Sequence, residues 1–378
     1  MKRLSLLILL GAWTCNALMA KGKSDAWDMA FTLLQSQTQQ DTTVHNTCLS
    51  PLSLQLALAL VDEGAKGKTH RELNKLLPTG TEGVYTSLNA SPALSLANSI
   101  WINQQFATQV QEGFKLSTTK KYDAEIQALA FDANAKNTIN NWCKQKTKGL
   151  IPSVIERLDN SQSMILVNAL HFKADWRSPF KAQRTSNKDF YLSDGTTKKV
   201  SMMEQTSHFE YAEGDDCQVI CLPYKGGEAT AFAMYVVLPK EGTSLRKVLS
   251  TLNRKKWKSL SFSSEKVHLQ LPKWESDYST SLNESVQALG AKRLFTSKAN
   301  FSKISKTSLR VGSINQKTVI RVDEQGTEAA AVTTISMVTT ALPRPEKIYE
   351  MNVNRPFLYL LVEEGKNLPI FIGTQTWE

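Results

Sequence analysis

Residue types able to do covalent chemistry are present in this chain of 378 residues, but not at spacings that build a catalytic site. Gly67-Lys68-Thr69 matches the end of a phosphate-cradling loop. The position where its first glycine would stand is Asp62, so the run of backbone N–H donors is broken. There is no Gly-x-Ser-x-Gly nucleophile turn and no His-Glu-x-x-His zinc pair. His45, His70, His171, His208 and His268 are dispersed, and each reads better as a surface or satisfied core residue than as a base. Cys48, Cys143, Cys217 and Cys221 invite a disulfide reading in an exported chain. In a strand, however, Cys217 and Cys221 would stand ~13 Å apart, beyond the roughly 7 Å a disulfide allows. Free or buried thiols are the preferred reading. A zinc site lacks a second cysteine pair or a histidine cluster. An enzyme is the weakest reading, and no cofactor or metal is implied.

The most informative stretch is Glu324-Gln325-Gly326-Thr327-Glu328-Ala329-Ala330-Ala331, together with the residues after it up to Pro345. No charge occurs from Ala329 to Pro343, and neither glycine nor proline lies between Gly326 and Leu342. Val332, Thr333, Thr334, Ile335, Val338, Thr339 and Thr340 are β-branched and favour extended structure. Such a segment is an aggregation hazard unless it is a central strand or is kept outside in order to insert. Pro343-Arg344-Pro345 ends any ladder, and Gly326 reads as a hinge. In strand register one face is Thr327, Ala329, Ala331, Thr333, Ile335 and Met337, while the other begins with Glu328. The first face can slide beneath another element without desolvating an ion.

This stretch resembles the hinge of the serpins. Asn354-Arg355-Pro356-Phe357 and Phe371-Ile372-Gly373 resemble the strands after that family's reactive loop. Asn46-Thr47-Cys48-Leu49-Ser50-Pro51-Leu52-Ser53 and Val167-Asn168-Ala169-Leu170-His171-Phe172-Lys173-Ala174-Asp175-Trp176 resemble two further family segments, in the expected order. Coverage runs from about residue 25 to the end.

The resemblance implies an α+β serpin fold: one domain over 21–378, three β-sheets, about eight to nine helices and an exposed reactive-centre loop at about 324–345. It implies suicide-substrate inhibition, in which a protease is trapped as a covalent acyl-enzyme while the cut loop inserts into the main sheet. The implied hinge is Glu324, Gly326, Thr327, Glu328 and Ala329-Ala330-Ala331. Glu324 is expected to pair with Lys273 beside Trp176. Ser50, Ser53 and Asn168 are the expected polar cluster where the sheet parts, and Gln316 stands where relatives often carry histidine. The family's loop register places the scissile bond at Thr340-Ala341, with Val338, Thr339 and Ala341 as neighbouring candidates. Small uncharged side chains there suit an elastase-like pocket. Alternatives are a non-inhibitory serpin (carrier, chaperone or protease substrate), or an inhibitor of cysteine or subtilisin-like proteases.

The elements that must position these residues are legible in outline. Amphipathic helices are expected at 25–40, at 52–63 after Pro51 in the first turn, at 69–77 and at 134–148. Strands are expected at 94–102, 218–222, 229–238, 267–271 and 318–322. The nearly continuous apolar run at 164–172 reads as a strand covered on both faces. Lys2-Arg3, the apolar run at 4–10 and the small residues to Ala20 read as a signal peptide over 1–20, with lipid-modified Cys15 a minor alternative. Its removal takes two cations from a formal charge of +10, leaving +8. The product is expected to be a secreted monomer, or periplasmic or cell-surface in a bacterial host. Its expected partner is a target protease, without a membrane or specific nucleic acid. Arg254-Lys255-Lys256-Trp257-Lys258 could bind a polyanion, but a solvated helix face is the favoured reading. Asn89, Asn283 and Asn300 lie in glycosylation sequons.

Overall fold

The computed structural model describes residues 25–38, 43–78, 81–89, 91–106, 110–226, 231–327 and 346–377. The apolar run at 164–172 forms the strand Met164–Phe172, buried along its whole length. It sits in a seven-stranded sheet, antiparallel to Leu94–Asn103 and parallel to Ser313–Val322. The helix Ala133–Lys146 covers one face, packing Ile139, Trp142 and Cys143 against Trp101, Val167 and Val319. The other face, with Leu166 and Leu170, looks into the main core. Burial on both sides explains why polar alternation is absent from this strand.

The helix Pro51–Gly64 crosses that core. Ser50 starts it, because the Ser50 side chain accepts a hydrogen bond from the Ser53 N–H and proline at the first position needs no donor. The helices Ala26–Thr38, Gly67–Leu76 and Ala133–Lys146 and the strands Cys217–Pro223, Phe232–Pro239, Ser263–Pro272 and Ser313–Val322 match the expected elements within a few residues. Nine α-helices are present among the described residues.

The other nine strands form one hydrogen-bonded network. The 17-residue strand Thr197–Glu213 joins its two halves. Its earlier residues pair with Ser186–Tyr191, and Met202–Tyr211 face Ser263–Pro272. Its last four residues pair with Cys217–Pro223, which leads through Phe232–Pro239 and Phe357–Glu363 to Leu368–Gln375 and Thr47–Leu49. Two of the three expected sheets therefore share hydrogen bonding through one long strand. That strand has no clean hydrophobic alternation, because parts of both faces are exposed.

Candidate functional site

The two central parallel strands pair from Ser313 with Ile165 up to Val319 with His171. Above that point the seam is filled by two residues of another segment. Gly326 and Thr327 pair with Asp175 and Ala174 on one side, and Thr327 pairs with Val322 on the other. A Cβ on residue 326 would lie 2.2 Å from the Ala174 carbonyl oxygen and 2.6 Å from the Asp175 Cα. Backbone meets backbone here, so only glycine fits without movement. Thr327 is fully buried, and its hydroxyl shares a hydrogen bond of 2.8 Å with the Tyr224 hydroxyl. Tyr224 stacks on Trp176 at 4.3 Å between ring centroids. Burial pushes its phenol well above the usual value, so the hydroxyl stays neutral.

The residues before the glycine are held by neighbours on every side. The Asp323 carboxylate accepts from the backbone N–H of Gln325 at 2.8 Å and of Gly326 at 3.3 Å, a local turn. The indole N–H of Trp176 donates to the Asp323 carbonyl at 2.9 Å. The backbone N–H groups of Trp176 and Phe180 donate to the carbonyls of Gln325 and Glu324 at 2.7 and 2.8 Å. Lys273 Nζ lies 2.8 Å from Glu324 Oε2, and the Thr185 hydroxyl donates to Glu324 Oε1 at 2.8 Å. Burial opposes ionisation of Glu324, but the hydrogen bonds from Lys273 and Thr185 outweigh it and hold the carboxyl below its ordinary value.

A second polar group lies lower in the seam. The Gln316 side chain bridges the backbone of Ser50, accepting from its N–H at 2.8 Å and donating to its carbonyl at 2.9 Å. The Ser50 hydroxyl donates to the Ile370 carbonyl at 2.8 Å. Gln316 and Asn168 are register neighbours across the parallel pair, and the Asn168 amide donates to Asn98. Ser53 Oγ, Asn168 Oδ1 and Asn98 Nδ2 are buried without hydrogen-bond partners among the described residues. Each such group costs about 1–3 kcal/mol.

The profile of the family described as Serpin (serine protease inhibitor) matches residues 25–376. This chain belongs to the serpin family. The Plasma serine protease inhibitor of Bos taurus is 33% identical over 353 residues, 88% of this chain and 85% of the relative. Tengpin, a thermophilic serpin in the native state, is 29% identical with a TM-score of 0.81, covering 94% of this chain and 96% of that one. Human thyroxine-binding globulin complexed with thyroxine is 25% identical with a TM-score of 0.81, covering 92% and 96%. A serine protease inhibitor and a thyroxine-binding globulin thus both lie among the serpins this chain is similar to.

Glu324, Gly326, Thr327, Trp176 and Lys273 meet at the head of the seam, and Ser50, Ser53, Asn168 and Gln316 line it lower down. Glu328, Ala329-Ala330-Ala331, Thr340 and Ala341 lie outside the described residues, as does the leader at 1–20. Sequence reasoning missed Tyr224, Thr185, Asp323 and Asn98. The resemblance supplied no role for them, and their partners stand far away in the chain or in a turn. The four cysteines are free and buried. Burial pushes Cys48 and Cys217 up to about 11, and Cys143 and Cys221 up to about 12. Among the described residues no cluster of three His, Cys, Asp or Glu side chains is placed to hold a metal. The basic helix Arg254–Lys258 is partly neutralised: Arg254 pairs with Asp25, and Lys256 lies 2.6 Å from Asp216.

Proposed function

We propose that this chain is an inhibitor that traps proteases as a suicide substrate. A protease cleaves the segment after the hinge, near Thr340-Ala341, and forms an acyl-enzyme through its own nucleophile. The freed arm then enters the seam between Met164–Phe172 and Ser313–Val322, beginning at Thr327. The tethered protease is carried away from its productive geometry, and small displacements of reacting groups cost orders of magnitude in rate.

The observation that carries this reading is the seating of Gly326 and Thr327 at the head of the seam, between Ala174-Asp175 and Val322. They are already in ladder register, so insertion continues a pairing rather than nucleating one. About a dozen further residues, each gaining about 1 kcal/mol from hydrogen bonding, would supply on the order of 10 kcal/mol. The uncharged arm from Ala329 to Leu342 can be buried without stranding an ion.

Small residues about Thr340 favour an elastase-like serine protease, with cysteine and subtilisin-like proteases as the other target classes. The leader at 1–20, a single domain over 21–378, secretion and a monomeric state belong to the same proposal. A carrier role like that of human thyroxine-binding globulin is the competing reading. The charge-free, proline-free arm weighs against it.

Incubation with an elastase-like protease tests the function. The proposal expects a complex stable in SDS and a released fragment beginning at or near Ala341. Complete turnover without a complex would contradict inhibition and leave the substrate reading.

A further inference from the structure

We propose that His268 is a proton-operated latch for Ile348–Asn352, the first described strand after the arm. That strand has a weak seat. It lies at the end of the nine-stranded network and pairs in parallel with Ser263–Pro272. Of its side chains only Met351 is buried. Its further ties are light. Gln218 Nε2 donates to the Glu350 carbonyl at 3.0 Å, the Val353 N–H donates to the Gln270 carbonyl at 2.9 Å, and Tyr349 packs on Tyr211 at 5.1 Å between ring centroids.

His268 joins this strand to another across its own. Its Nδ1 lies 2.7 Å from Glu350 Oε2, and its Nε2 lies 3.2 Å from Glu204 Oε1 on Thr197–Glu213. An ionised carboxylate only accepts hydrogen bonds, so both contacts are made only when both ring nitrogens carry protons. The neutral ring has one N–H for two carboxylates, and its other nitrogen turns a lone pair on the second. Behind Glu204 stands Lys188 of Ser186–Tyr191, with Nζ 2.7 Å from Glu204 Oε2. Glu350 forms no other ion pair among the described residues. On the latch's own strand, Lys266 pairs with Glu346 at 3.3 Å.

The neighbouring His208 supplies the contrast. Its Nε2 lies 2.7 Å from Glu346 Oε1, its only carboxylate partner among the described residues. A neutral ring keeps that single contact by donating through the same nitrogen. Bridging two carboxylates is what makes the His268 tie depend on a second proton.

Burial opposes protonation of His268, but the hydrogen bonds to Glu350 and Glu204 outweigh it and raise its value. The latch is therefore fully closed below the value His268 has with the strand away, and it opens as pH rises through the raised one. Thr327 anchors the arm at one end and Ile348–Asn352 at the other. On the inhibitory reading, on which this step rests, a released strand gives an uncut arm the slack to follow Thr327 into the seam. The inhibitor is then used up without a protease, so it keeps in acid and decays as pH rises.

Amide exchange of the full chain tests the latch and needs no protease. Protection of Ile348–Asn352 is measured at about pH 6 and about pH 8.5 for the unaltered chain, His268→Gln and His208→Gln. The unaltered chain and His208→Gln should lose about fivefold in protection across that range, and His268→Gln should hold the lower protection at both ends. The strand should exchange faster than Met164–Phe172 throughout. Equal pH dependence in the unaltered chain and His268→Gln, its loss in His208→Gln, or exchange only as fast as in Met164–Phe172 would overturn the proposal. The unaltered chain and His268→Gln are then stored alone at both pH values and titrated at one common pH against an elastase-like protease. Faster loss of inhibitory capacity at the higher pH, with the pH dependence absent in His268→Gln, is expected. A loss independent of pH in the unaltered chain would overturn the link to the arm. A chain that inhibits nothing even when fresh would refute the inhibitory reading and leave the exchange result to judge the latch.

Discussion

The hydroxyls of Tyr224 and Thr327 meet at 2.8 Å in the buried head of the main sheet, 103 residues apart in the chain. Thr327 is thus docked before any cleavage. The position that would lead the arm into the seam already has a hydrogen-bond partner and two strand neighbours. Insertion on this account begins from a primed first step.

Tyr224→Phe removes one side of that contact and keeps the ring stacked on Trp176. The Thr327 hydroxyl is left buried without its partner, so the intact protein should lose about 1–3 kcal/mol. Denaturant unfolding measures the loss. The ratio of inhibitor consumed to protease trapped should rise, because the arm starts from a less ordered hinge.

Thr327→Arg has a larger effect. The side chain points into a fully buried site, where an unpaired charge costs several kcal/mol. Cleavage should continue while trapping fails, converting inhibitor to substrate. An unchanged stoichiometry in titration against a fixed amount of protease would contradict a role for the buried Thr327 position in trapping.

Gly326→Ala places a methyl group 2.2 Å from the Ala174 carbonyl oxygen. Overpacking of this kind costs about 1–3 kcal/mol. The ladder between residues 326–327 and 174–175 should open. Faster amide exchange at Thr327 and Trp176 would register it, whereas unchanged protection would speak against a close backbone approach.

The hinge and the seam were legible to different degrees. The strand Met164–Phe172 announces itself through an unbroken apolar run, and Gly326 through its place before an uncharged β-prone arm. The pairing of Lys273 with Glu324 follows from the resemblance together with opposite charge. Tyr224 gave no signal, because an aromatic residue before a glycine turn has no pattern of its own. Its role arises when Phe232–Pro239 pairing and the Trp176 stack bring it under Thr327. Asn98 was hidden in the same way, since only the antiparallel register with Asn168 gives it meaning. Thr197–Glu213 escaped detection because a strand serving two halves of a network keeps no constant buried face.

The strand Ile348–Asn352, on the far side of the arm, predicts a pH effect. It pairs in parallel with Ser263–Pro272 at the edge of the second network. His268 bridges its Glu350, at 2.7 Å, to Glu204, at 3.2 Å. Burial lowers the tendency of His268 to protonate, but the hydrogen bonds to Glu350 and Glu204 outweigh it and raise its value above 6.5. A raised histidine stabilises the fold fully below its unfolded value and loses that contribution as pH rises through the folded one. Stability should therefore decline above pH 6.5, and His268→Gln should flatten the decline. Unfolding midpoints measured from about pH 6 to about pH 9 for both proteins decide the matter. Identical slopes would exclude His268 as the source.

Thermal unfolding of the intact and the cleaved chain tests the central claim most directly. If the severed arm becomes a strand between Met164–Phe172 and Ser313–Val322, a gain on the order of 10 kcal/mol should raise the midpoint by about 13 °C. A cleaved protein melting at or below the temperature of the intact one would contradict the account.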